Sequence, residues 1–416
     1  MYRYAPKQEI PDRELGVRFA EALASFSVDG KRILAIVPDD TRTLPMPALF
    51  ETLCTELSLR SRAFSVLIAL GTHPPMSRER LAQHLGPNWE RAKVIQHAWN
   101  DPESLVKVGT LSADEMDALS GGLLVETVPI EVNRLVLESD LVVIVGPVFP
   151  HEVVGFSGGH KYLFPGVSGP TMLHQSHWLG ALVTSPKTLG RKETPVRRMI
   201  ERAAAQVPVP RVCASWVMDG KEAVGLFAGE VIDAWSAAAD LSAEVNVTLV
   251  DRSYDTVLSI APPMYRELWT AGKCVYKLEP VVADGGRLIV YAPHVDSISA
   301  THGKMIRRVG YHTRDYFLGQ WERFKDAPRA VLAHSSHVKG IGTYRGGIER
   351  PRIEVILASR IPEAVCRAIN LVYHDPASIT PSEFAKREDE GILVVPNAGE
   401  RLFRLSDGSV PDIDSL

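Results

Sequence analysis

Residues 147–178, PVFPHEVVGFSGGHKYLFPGVSGPTMLHQSHW, hold the four histidines His151, His160, His174 and His177 and a lysine, Lys161, around the turn Ser157-Gly158-Gly159. A Ser-Gly-Gly turn can aim backbone N–H groups at an anion, because glycine reaches dihedrals closed to other residues and lets a phosphate approach closely. A lysine directly after such a turn can neutralise a phosphate or attack an acyl group as an amine. His174 and His177 are one helical turn apart and can share a face. Imidazole suits nickel, copper, zinc or iron, and without a neighbouring carboxylate or thiolate the pair does not select among them. A loop of Gly, Ser and His is also the composition of a plain surface turn, so it is the concentration of groups that points to chemistry.

Three further clusters follow apolar runs. Pro38-Asp39-Asp40-Thr41-Arg42 offers a guanidinium that can clamp a carboxylate with two hydrogen bonds and, in Asp39, a carboxylate for a ribose hydroxyl. Asp and Thr equally favour helix caps and turns. Gly71-Thr72-His73-Pro74-Pro75 is a plain loop or a ligand loop, and Gln96-His97-Ala98-Trp99-Asn100-Asp101 closes a third run. Three successive strand ends bearing His or Arg say more than any one of them.

The elements that must position these groups read as alternating buried strands and amphipathic helices. Residues 32–37 (RILAIV), 64–70 (FSVLIAL), 92–96 and 141–145 read as strands, and residues 47–59 as a helix with Leu49, Phe50, Leu53 and Leu57 at helical spacing. Residues 236–251 pass from helix to strand. Strands at 256–260, 287–291, 354–357 and 391–395 and helices at 265–278 and 362–369 continue the alternation. This is an α/β chain with largely parallel sheets, whose functional groups gather beyond the carboxyl ends of strands. Its length, 416 residues, suits two α/β domains, 1–247 and 248–416.

Composition removes several classes. The formal net charge of -4, with both signs intermixed, argues against a nucleic-acid partner. No apolar run reaches the ~18 residues of a membrane span, and the polar N-terminus lacks the apolar stretch of a signal peptide. Cys54, Cys213, Cys274 and Cys366 are scattered without a CxxC pair, as expected of buried thiols in a reducing cytoplasm.

Taken in order, the motifs resemble those of the nickel-pincer lactate racemases. That family's segment P-H, G-F-S-G-G, a basic residue, Lys and then L-P-G-I appears as Pro150-His151, Gly155-Phe156-Ser157-Gly158-Gly159, His160-Lys161 and Phe164-Pro165-Gly166-Val167, with His177 downstream. Its D-x-T-R appears as Asp39-Asp40-Thr41-Arg42, its strand-end histidine as His97, and its helix with an aromatic residue, Gln and Lys as Trp269-Thr270-Ala271-Gly272-Lys273.

The resemblance implies an isomerase, a racemase or epimerase inverting C2 of a 2-hydroxy acid by proton-coupled hydride transfer, through a 2-keto acid. Its cofactor would be a nickel-pincer nucleotide, supplied by cofactor-building enzymes and tethered to Lys161 in a cleft between the two domains. By the same resemblance Asp39, Thr41, Ser157, Gly158 and Gly159 hold the nucleotide, and His177 completes the nickel. His97 and His151 act as acid and base, a role suited to imidazole. Arg42 and Lys273 bind carboxylate and polarise oxygen, and Trp269 and Thr270 line the substrate. Four positions depart from the family pattern: His160 and Pro74 stand in place of Arg, and Trp269-Thr270 in place of Tyr-Gln. The last pair points to a substrate bulkier than lactate. Two other readings compete. A zinc hydrolase or lyase could use His174 and His177, although no HExxH is present. A binding protein could keep the nucleotide or the hydroxy acid without turnover.

Overall fold

The computed structural model describes residues 1–6 and 8–415. It divides into two compact units. The first comprises residues 1–149, 156–176 and 192–245, and the second 150–155, 177–191 and 246–416. The last passage, at Val245/Asn246, lies close to the expected boundary, but two short excursions were not anticipated. They place His151 and His177 in the second unit.

The first unit is built on a seven-stranded sheet ordered Tyr2–Tyr4, Glu222–Gly229, Arg211–Asp219, Leu141–Pro147, Arg32–Pro38, Ala63–Ala69, Lys93–Gln96. The last five strands are mutually parallel, and the first two add antiparallel pairings at one edge. All six residues from Ile33 to Pro38 are buried, as a central parallel strand covered on both faces requires. The helix Asp12–Ala24 buries Leu15, Phe19, Ala22 and Leu23, and Met46–Arg60 buries Leu49, Phe50, Leu53 and Leu57. Both faces join one core cluster with Ile33, Ala35 and Val37. At roughly 1.5–3 kcal/mol per fully buried large side chain, this cluster outweighs any polar contact in holding the strand ends in place.

Chain order reverses between Arg32–Pro38 and Leu141–Pro147. From the former the chain steps one way to Ala63–Ala69 and Lys93–Gln96, and then crosses to the other side. Ligands of open α/β sheets bind outside the carboxyl ends of strands at such a reversal. The loops leaving these two strands carry Asp39–Arg42 and Phe149–Lys161.

The second unit has a five-stranded, wholly parallel sheet ordered Val372–His374, Glu354–Ser359, Val282–Ala292, Tyr254–Ile260, Ile392–Val395. Leu258, Ile289, Ile356, Ala358 and Ile379 pack into one cluster on it. The expected helix over 265–278 is two short helices, Leu268–Ala271 and Lys273–Tyr276. The N–H groups of Leu268 and Trp269 bond to the carbonyls of Ser297 and Ile298, which prevents an earlier helical start. No helix among the described residues is long and apolar enough to cross a membrane. All four cysteines are buried free thiols.

Candidate active site

In the first unit Asp39 follows the last residue of the Arg32–Pro38 strand and is 4% exposed. One carboxylate oxygen accepts from the Thr41 hydroxyl at 2.6 Å and the Thr41 N–H at 3.2 Å, while the other lies 2.5 Å from His73 Nδ1. Arg42 Nη1 donates to the Thr41 hydroxyl at 2.9 Å, and its guanidinium lies 5.7 Å from the Phe149 ring centre. Burial alone would raise the Asp39 carboxyl. Its pairing with His73, with Arg42 and Thr41 adding to it, holds it well below the usual carboxylate range. The Tyr162 phenol, raised by burial, is close enough to feel both Arg42 and Asp39. The expected cluster of Asp39, Thr41 and Arg42 is thus assembled, and His73 is its unexpected fourth member.

His97 follows the Lys93–Gln96 strand and is 3% exposed. Its Nε2 donates to the Ser168 carbonyl at 3.0 Å, and its Nδ1 accepts from the Asn133 amide at 3.1 Å. Burial lowers its pKa to about 4, so it is a neutral imidazole with both nitrogens engaged.

The glycine turn is propped from beneath. Gly158 and Gly159 have φ of 83° and 58°, a region that favours glycine, and a Cβ on Gly158 would stand 2.6 Å from Val148 Cγ2. The Ser157 hydroxyl donates to the Pro147 carbonyl and accepts from the Phe149 N–H, both at 3.0 Å. Trp235 Nε1 donates to the Ser157 carbonyl at 2.8 Å. Arg197, 2% exposed, stacks 4.0 Å over Trp235 and donates to the carbonyls of Phe156 and Gly158 and to Glu201. His160 pairs with Glu201 at 2.5 Å and accepts from Arg211 at 3.3 Å, so it belongs to this support. Lys161 emerges half-buried from the 3₁₀ turn Gly159–Tyr162. Because Arg197→Met would remove the donors of the Phe156 and Gly158 carbonyls and leave Glu201 paired with His160 alone, it is expected to lower stability by about 3–5 kcal/mol, measured by urea unfolding.

His174 and His177 both lie on the helix Pro170–Val183, as their spacing implies. His174 meets Trp99 edge-on within the first unit, at 6.3 Å between ring centres.

The second unit gathers imidazoles. His151 is 7% exposed; its Nδ1 accepts from the Val153 N–H at 3.2 Å and lies 3.3 Å from Glu152. His334 stacks on Trp269 at 3.9 Å and 12°, and His302 covers the same indole at 4.4 Å. His334 Nε2 donates to the Trp269 carbonyl at 2.9 Å, while its Nδ1, fully buried, has no hydrogen-bond partner among the described residues. Burial lowers its pKa to about 3, with the neighbouring His337, His302 and His177 adding to the effect. His337 Nδ1 lies 2.5 Å from the Ser185 hydroxyl. Lys273 Nζ lies 4.9 Å from the Tyr265 ring centre, and the Thr270 hydroxyl donates to the Glu267 carbonyl at 3.0 Å. Sequence reasoning passed over His302, His334 and His337. The i,i+3 pair His334/His337 carries the same signal that drew notice to His174/His177.

Residues 18–190 match the lactate racemase N-terminal domain. The chain is 26% identical over 289 residues to the lactate racemase of Lactiplantibacillus plantarum, covering 68% of this chain and 64% of that protein. It is 25% identical over 273 residues to that of Thermoanaerobacterium thermosaccharolyticum, covering 64% and 61%. The matches thus span less than two thirds of these relatives. A crystal structure of a Thermotoga maritima protein superposes with a TM-score of 0.89 at 31% identity, over 98% of this chain and 100% of that one. The lactate racemase apoprotein of Thermoanaerobacterium thermosaccharolyticum superposes at 0.70 with 18% identity, over 95% and 93%, which is a likeness of fold. The chain thus carries a lactate racemase N-terminal domain over residues 18–190 and is similar to the curated lactate racemases.

Proposed function

We propose that the protein is an isomerase that inverts C2 of a 2-hydroxy acid bulkier than lactate, using a nickel-pincer nucleotide joined to Lys161. The observation that carries this reading is the cluster at the chain reversal of the first sheet. There a guanidinium, Arg42, is braced through Thr41 on the buried Asp39, in the same unit as the glycine turn and Lys161.

Two features fit such a group. The buried Nδ1 of His334, which has no hydrogen-bond partner among the described residues, is near His177, the residue that would ligate nickel, and Lys161 follows two glycines whose positive φ turns the backbone sharply. When bound, the group supplies a nickel-bearing hydride acceptor. Lys161 Nζ would form the tether, while Asp39, Thr41 and the backbone N–H groups of Gly158 and Gly159 would hold the nucleotide; the Ser157 N–H is given to the Phe149 carbonyl. The Ser157 hydroxyl, already engaged by Pro147 and Phe149, fixes the turn instead of reaching outward. Arg42 binds the substrate carboxylate with paired N–H donors, and Lys273 steadies the C2 oxygen. His97 and His151 would hold and move the hydroxyl proton, His97 once its bond to Ser168 or to Asn133 opens. Trp269, stacked on His334 and met by His302, forms an aromatic wall, and Thr270 leaves more room than a glutamine would.

Specificity constants for lactate, longer aliphatic, aryl and sugar-derived 2-hydroxy acids, and malate, test the reading. Inversion is expected with a larger monocarboxylate preferred over lactate. A preference for lactate over every larger acid would refute the bulk, and no inversion of any would refute the activity.

A further inference from the structure

The pairing of Asp39 with His73 goes a step beyond the roles already given, and rests on the racemase reading. His73 follows the Ala63–Ala69 strand, next to Arg32–Pro38 in the sheet, so its loop opens at the same carboxyl ends as Asp39 and Arg42. Its Nδ1 faces the Asp39 carboxylate at 2.5 Å, and its side chain is 24% exposed against 6% for Asp39. A carboxylate only accepts, so Nδ1 carries the proton of this bond. Nε2 then holds a lone pair, and it makes no hydrogen bond among the described residues. A buried carboxylate that fixes this tautomer also stabilises the imidazolium formed when Nε2 takes a proton.

His97 offers no such nitrogen. Both of its ring atoms are committed, to Ser168 and to Asn133, and acid/base work there requires those bonds to open. The Asp39–His73 pair requires no rearrangement. Asp39 also links His73 to Arg42, through the Thr41 hydroxyl. A carboxylate clamp and a base flanking one buried carboxylate match a ligand with a carboxylate and a hydroxyl on neighbouring carbons, which is the 2-hydroxy acid pattern.

We infer that His73 is a further catalytic acid/base residue, oriented by Asp39 as a positioning residue. His73 Nε2 takes the proton of the C2 hydroxyl: the O–H bond breaks and an N–H bond forms, while the bound cofactor would accept the C2 hydrogen with its electron pair as hydride. The same proton returns to oxygen when hydride is delivered back.

Nitrogen-15 histidine NMR of the cofactor-free protein, with turnover of the loaded enzyme, tests this. In wild type, His73 is expected to carry its proton on Nδ1, with a far-downfield proton signal that is lost in Asp39→Asn. In the loaded enzyme His73→Gln is expected to lower kcat by ~10²–10⁴-fold with KM little changed. Asp39→Asn should lower kcat less than His73→Gln. A wild-type spectrum with the proton on Nε2 and the carboxylate bond absent would overturn the orientation, even if the variants fail to fold. Full kcat in a folded His73→Gln overturns the inference and leaves the racemase reading standing. No inversion by the loaded wild type overturns the reading, and the inference falls with it.

Discussion

Lys161→Ala is expected to abolish turnover and to remove the covalent mass that intact-mass measurement of the loaded protein should show. Lys161 leaves a short 3₁₀ turn whose geometry is set by Gly158 and Gly159 and whose underside is locked by Trp235 and Arg197. The lysine backbone N–H itself bonds to the Gly158 carbonyl at 3.3 Å. These supports are independent of the lysine side chain, so the alanine variant should keep its fold and circular dichroism. A loaded wild type that is fully active but carries no added mass would exclude the tether. It would leave a non-covalently held cofactor as the remaining form of the proposal.

The second large effect concerns His151. Replacement by alanine is expected to lower kcat by ~10²–10⁴-fold while bound nickel stays at the wild-type level, whereas His177→Ala should lose nickel. His151 Nδ1 is met from two sides, by the Val153 N–H and by Glu152. The first suits an unprotonated Nδ1 and the second a protonated one, so each ring state has a partner. A group that must gain and release a proton within one turnover benefits from that pairing. Nickel analysis and steady-state kinetics on the same preparations separate the two histidines. Undiminished kcat in His151→Ala would remove it from the acid/base set.

Much of the frame was legible beforehand, for reasons that are local. Residues 33–37 and 66–69 are unbroken apolar runs because parallel strands covered on both faces leave no polar side there, and they lie in adjacent strands of the first sheet. The glycine turn was legible because positive φ and close packing admit few other residues. The edge strand Tyr2–Tyr4 was missed because it pairs with Glu222–Gly229 across more than 200 positions of sequence. The excursions that carry His151 and His177 into the second unit were missed for the same reason. At the site, Asp39, Thr41 and Arg42 share one short segment and could be read as a group. His73 stood in a proline-rich loop, and only the parallel pairing of the two strands sets it against Asp39. His160 shows the converse. Its place beside the glycine turn counted it in the functional cluster, but Glu201 and Arg211 absorb it into the support of the turn.

The central claim is inversion at C2 by hydride transfer and return, and a labelled single enantiomer tests it most directly. One enantiomer of an accepted 2-hydroxy acid, with deuterium at C2, is incubated in ordinary water with the loaded enzyme. Product handedness is read by chiral chromatography and label by mass spectrometry. The account predicts the opposite enantiomer with deuterium still on C2, because the hydrogen leaves and returns as hydride while only the hydroxyl proton passes through imidazole. Inverted product that has exchanged its deuterium for solvent hydrogen would contradict it, since that is the outcome of proton abstraction from carbon.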